Sequence, residues 1–108
     1  MFYLCICTYG HSRSVALCRV LHDGGVKAVA CGYATGGDAL NILCEAADKI
    51  CILDSYMKDK VWEGHHHKLV DFAVGPDRWS NPYNQELLGI LGKKAFELLG
   101  HQSGYYKP

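Results

Sequence analysis

Four short apolar runs punctuate the chain, and between them the periodicity changes from that of strands to that of helices. Phe2-Tyr3-Leu4-Cys5-Ile6 is aromatic, aliphatic and β-branched, which suits a buried strand. The segment from Ser14 through Leu21 suits a helix, because Val15, Ala16, Leu17, Cys18, Val20 and Leu21 are mostly apolar and Asp23-Gly24-Gly25 supplies a stop. Val26 to Cys31 predicts a second strand and Gly32 to Gly37 a glycine-rich loop, after which Asp38 is expected to cap a helix striped by Leu40, Leu43, Ala46 and Ala47. Lys49-Ile50-Cys51-Ile52-Leu53 predicts a third strand, and its almost unbroken apolar character implies cover on both faces, the mark of a parallel sheet. A polar helical stretch is expected from Asp54-Ser55 through Met57, Val61 and Trp62, ending near Glu63-Gly64. Leu69 to Val74 predicts the fourth strand, Gly75 to Tyr83 a long loop, and Asn84 to Leu99 a last helix with Leu87, Leu88, Leu91, Ala95, Leu98 and Leu99 at helical spacing. The tail from Gly100 to Pro108 is expected to be loosely held.

Strands alternating with helices imply an α/β three-layer sandwich: a four-stranded parallel sheet with right-handed crossovers and helices on both faces, in one domain spanning residues 1–108. Ligands of such folds sit outside the carboxyl ends of the strands. Cys7, Tyr33 and Asp77 each follow a predicted strand, so their loops should gather on that rim.

Composition narrows the partners. Lys plus Arg and Asp plus Glu stand at 11 each, so no global field recruits nucleic acid or an anionic membrane, and any anion must be captured locally. Six cysteines in 108 residues would suit a disulfide scaffold. No cleavable signal is read at the start, however, and Cys5, Cys18, Cys31, Cys44 and Cys51 fall mostly in apolar segments, so free core thiols and a reducing, cytoplasmic setting are expected. His65-His66-His67 invites a metal reading, but three consecutive imidazoles cannot all face one ion from a regular element, and a solvated loop is expected there. The glycine-rich loop lacks the spacing of nucleotide cradles.

The chemistry concentrates in Cys7-Thr8-Tyr9-Gly10-His11-Ser12-Arg13-Ser14, the turn between the first strand and the first helix. A loop that enters a helix offers successive amide protons and the positive end of the dipole, which together favour an anion. Those amides and Arg13 would favour Cys7 as thiolate, the form that attacks phosphorus. Arg13 offers a planar fork for two phosphate oxygens, and Ser14 can donate its hydroxyl to the Cys7 sulfur.

The spacing Cys-x5-Arg-Ser, with Gly10 completing Cys-x2-Gly-x2-Arg-Ser, resembles the signature loop of cysteine-dependent phosphatases. Its place directly after the first strand is similar to the low-molecular-weight protein tyrosine phosphatase superfamily, in particular a small branch of predicted protein tyrosine phosphatases from bacteria and phages. That group usually has Gly where Tyr9 stands and Asn where Gly10 stands. The resemblance implies the strand order 2-1-3-4, a phosphate-binding loop of Thr8 to Ser14, and hydrolysis of phosphomonoesters through a phosphocysteine without metal or cofactor. Its substrate would be a phosphorylated protein or a small phosphomonoester.

Such a reaction needs an acid opposite the nucleophile, and Asp77, after Pro76 and beside Arg78, Trp79 and Tyr83, is the candidate. Tyr33 and Trp79 are candidate walls for a planar leaving group. Two other readings stay open. Cys7, Gly10, Ser12 and Ser14 also fit the Cys-x2-Gly-x-Ser-x-Ser loop of phosphocarriers such as the IIB components of sugar phosphotransferase systems, and the bowl alone would serve a phosphate-binding pseudophosphatase.

Overall fold

The structure, a computed structural model, describes every residue except Asp77 and Ser80. Its sheet is built from β1 (Tyr3–Cys7), β2 (Ala28–Gly32), β3 (Lys49–Ile52) and β4 (Leu69–Asp71), all parallel, in the order β2-β1-β3-β4. Helices α1 (Arg13–Asp23), α2 (Asp38–Ala46) and α3 (Gln85–Leu99) pack around it. α1 carries the chain from the central strand β1 to its neighbour β2, and α2 carries it back from β2 past β1 to β3; right-handed crossovers that run in opposite directions place α1 and α2 on opposite faces of the sheet. The α3 helix lies against α1.

β1 is central because it is apolar on both faces. Leu4, Cys5, Ile6 and Cys7 are all buried, and the strand pairs with β2 from Tyr3 opposite Ala28 to Cys7 opposite Gly32, and with β3 from Tyr3 opposite Lys49 to Ile6 opposite Ile52. Asp48 fixes this register from outside: its carboxylate accepts from the Phe2 amide at 2.9 Å, while its own amide donates to the Phe2 carbonyl at 3.0 Å. Leu17 and Leu21 of α1, Ile50 and Ile52 of β3, and Leu87, Leu88 and Leu91 of α3 are fully buried around it. Trimming any one of these to alanine costs about 2–5 kcal/mol.

All six cysteines are free thiols. Cys5, Cys18 and Cys51 meet in the core, where burial first and the neighbouring thiols second push Cys5 well above the usual thiol range. Among the described residues no helix is long and apolar enough to cross a membrane.

Five expectations are corrected. The polar stretch after β3 is not a regular helix but two 3₁₀ segments, Ser55–Lys60 and Glu63–Lys68. The histidine run is not a solvated loop: it forms the second segment, where His65 is buried against Asn41 Oδ1 at 3.2 Å and His66 Nε2 reaches the carbonyls of Val61 and Lys58 at 2.8 and 3.1 Å. Rings that satisfy the carbonyls left over by a tight turn favour that turn over a loop. β4 ends at Asp71 rather than Val74, because the Asp71 carboxylate takes the Ala73 amide at 2.8 Å and Ala73 adopts φ 47°, a kink that breaks the regular ladder although the Val74 amide still donates to the Leu53 carbonyl at 2.8 Å. The tail is held: His101 is buried with Nε2 3.0 Å from the Val20 carbonyl, and the Gly104 amide donates to Asp23 Oδ2. Asp38 is the first residue of α2 rather than its cap.

Candidate active site

β1 delivers Cys7 to the carboxyl edge of the sheet, and after five intervening residues α1 begins at Arg13. Between them the loop closes on itself. The Gly10 amide donates to Cys7 Sγ at 3.1 Å, and Ser14 Oγ lies 3.0 Å from the same sulfur. A backbone amide and a side-chain hydroxyl thus converge on one buried sulfur. Cys7, Thr8, Tyr9, His11, Ser12 and Arg13 line a cavity of about 120 Å³. At about 30 Å³ per water that is room for about four waters, enough for a phosphoryl group. Among the described residues no protein acceptor takes the amide protons of Tyr9, His11 or Arg13.

Gly10 makes the turn possible. It has φ 76°, and a Cβ there would meet the Gly32 nitrogen at 2.8 Å. Gly32 is equally constrained, since its own Cβ would stand 2.3 Å from the Tyr9 carbonyl carbon. The two loops therefore pack backbone on backbone. Tyr33 donates its amide to the Cys7 carbonyl at 3.0 Å and Ala34 to the Thr8 carbonyl at 2.9 Å, and Thr35 Oγ1 reaches the Tyr9 carbonyl at 3.4 Å. The glycine-rich segment that fits no nucleotide spacing is thus a buttress for the Cys7 loop.

Arg13 is 3% exposed. Its Nη1 donates to the Gly75 carbonyl at 2.6 Å and its Nη2 reaches Thr8 Oγ1 at 3.5 Å, while Nε is buried and has no partner among the described residues. A buried guanidinium with a donor left over is expensive unless an anion completes it. The Gly75 contact also ties the late loop to the bowl two residues before Asp77, the candidate acid, which itself lies outside the described residues.

Of the two proposed walls, Tyr33 stands at the rim. Its hydroxyl is 3.0 Å from that of Tyr56, the rings meet edge to face at 6.1 Å, and Tyr56 OH continues to Thr8 Oγ1 at 3.3 Å. Trp79 is 5% exposed, with its indole nitrogen donating to Glu86 at 3.0 Å and Arg78 stacked 4.6 Å from its ring centroid. It is turned into the core, and the exposed aromatics at the rim are Tyr9 and Tyr56, with Tyr33 half-buried beside Tyr56. Tyr56 was legible only as a residue just past a strand end, on the same rim as the others.

Burial, and secondarily the charge of Cys7, raises Cys31. Burial pushes Cys44 up to about 11, with Cys31 adding and Lys68 opposing. Both stay protonated where a thiolate chemistry would run. Among the described residues no group of three or more His, Cys, Asp or Glu is placed to hold a metal ion. No family model matches the chain, and no match is found among curated proteins or solved structures.

Proposed function

We propose that the protein is a cysteine-dependent phosphomonoester phosphatase of the protein tyrosine phosphatase kind, and that the buried Arg13 beside a doubly hydrogen-bonded Cys7 sulfur is the observation that carries this reading. In the first step Cys7 Sγ attacks phosphorus in line. The S–P bond forms, the P–O bond to the leaving group breaks, and Asp77 gives its proton to the departing oxygen. Arg13 and the loop amides hold the equatorial oxygens, where charge accumulates in the transition state. In the second step water attacks the phosphocysteine, Asp77 takes its proton, and the S–P bond breaks to return the thiolate and release phosphate. Ser14 supports the sulfur as it leaves.

The similarity of the loop to the low-molecular-weight phosphatases supports the same reading, and so does Arg13, which a carrier that must hand its phosphoryl group onward does not need. Turnover of p-nitrophenyl phosphate by wild type beside Cys7→Ser tests it. The expected result is catalytic turnover that the substitution abolishes. One equivalent of stable phosphocysteine and no turnover would point to a phosphocarrier, and oxyanion binding with neither would point to a phosphate-recognition protein.

A further inference from the structure

Between α2 and the first 3₁₀ segment lies another cavity of about 190 Å³, walled by Leu40 and Asn41 of α2 and by Lys60, Val61 and Trp62. Lys60 joins it to the bowl. Its ammonium sits 5.3 Å from the centroid of Tyr33, whose hydroxyl chain through Tyr56 ends on Thr8 in the wall of the bowl. Among the described residues the ion pair found is Arg78 with Glu86, so Lys60 has no carboxylate partner there.

Trp62 is 66% exposed, yet it is held in place. A Cβ on Gly64 would stand 2.1 Å from its six-membered ring, so the indole lies flat on the Gly64 backbone, and His65 meets it edge-on at 5.2 Å between centroids. His65 is fixed in turn by Asn41. A large exposed aromatic that has already lost its side-chain freedom is a ready anchor, because binding costs it little further entropy.

Resting on the phosphatase reading above, we propose that this cavity is a specificity subsite for an extended phosphotyrosine peptide. The phosphoryl group enters the bowl, the tyrosyl ring stands beside Tyr33 and Tyr56, a neighbouring acidic residue of the peptide meets Lys60, and an apolar side chain packs on Trp62 in the cavity. Two or three extended residues span about 7–10 Å. A carboxylate is favoured over a second basic group because Lys60 and Lys58 both stand in the last turn of the first 3₁₀ segment.

The test compares kcat/KM for a nonapeptide with central phosphotyrosine flanked by glutamates and leucines, for its lysine-for-glutamate counterpart, and for p-nitrophenyl phosphate. Wild type should prefer the acidic peptide, and Lys60→Glu should lower the ratio of acidic peptide to p-nitrophenyl phosphate about tenfold, the scale of reversing one rim charge. Trp62→Ala and Gly64→Ala, which removes only the seat of the indole, should lower the same ratio. An unchanged ratio in Lys60→Glu and Trp62→Ala overturns the subsite, as does a Lys60-dependent preference for a nucleotide or sugar phosphate over the peptide. The subsite and the phosphatase reading are separated by Trp62 fluorescence in Cys7→Ser. If wild type turns over nothing, the function fails, and a blue shift on adding the acidic peptide still supports the subsite, whereas no shift overturns it.

Discussion

The Arg13 guanidinium reaches across the carboxyl edge of the sheet and donates to the Gly75 carbonyl at 2.6 Å. One side chain therefore spans the Cys7 loop and the loop that carries the candidate acid. Replacing Arg13 with lysine keeps the charge but loses the fork, so kcat on p-nitrophenyl phosphate should fall about 10²- to 10³-fold. Near-normal turnover in that variant, measured beside its thermal midpoint, would make Arg13 a helix residue with a purely structural contact.

Ser14 is fully buried and 3.0 Å from Cys7 Sγ. Ser14→Ala removes the hydroxyl that supports the sulfur when it leaves phosphorus, so the second step should slow more than the first. The expected signs are a burst of nitrophenol equal to the enzyme concentration and a kcat about 10- to 10²-fold lower. Loss without a burst would place Ser14 in the first step.

Gly32 has no room for a methyl group beside the Tyr9 carbonyl carbon at 2.3 Å. Gly32→Ala should cost about 1–3 kcal/mol in a urea titration and abolish competitive inhibition by vanadate, because the bowl must move to admit the Cβ. Inhibition at the wild-type concentration would show that the two loops are not interdependent.

Asp77→Asn should cost roughly 10²- to 10⁴-fold for esters of poor leaving groups and far less for activated aryl esters, since only the former need a proton from the enzyme. Equal losses on both ester classes would assign the acid elsewhere, with Asp54, just past the end of β3, the next to test.

Burial holds Cys5 well above the thiol range and Cys44 at about 11. Both are protonated in the fold, whereas the unfolded chain releases these protons near about pH 8.5. Their contribution is therefore complete below that pH and is lost as pH climbs toward the folded values. The urea midpoint should fall steadily above it, each thiol adding at most about 1.4 kcal/mol per pH unit. Cys44→Ala should start less stable but show a shallower alkaline decline, and an unaltered slope would assign the decline to other groups.

The parallel sheet was legible because Ile50 to Leu53 is apolar without alternation, and the bowl because Cys7, Gly10, Arg13 and Ser14 sit within one turn of each other in sequence. What sequence could not supply was contact between distant loops. Nothing local marks Gly32 as the partner of Gly10, or Tyr56 as the neighbour of Tyr33, since each pairing is made by the crossover rather than by spacing. Trp79 was misplaced for a similar reason: a tryptophan in a loop reads as a wall until Glu86, on the next helix, is seen to hold its nitrogen. The histidines were read as solvated because the carbonyls that engage them belong to a turn the polar pattern does not distinguish from a helix.

The Arg13 to Gly75 bond closes 62 residues of chain, and the His101 and Gly104 contacts to α1 each close 81. Contacts of such range form late, after their loop entropy has been offset by other packing. A nascent or partly opened chain thus displays the Cys7 loop without its guanidinium anchored, and a thiol in that state is merely one of six. On the phosphatase reading, reactivity would report completed folding: under mild denaturant, turnover should vanish before the sheet does.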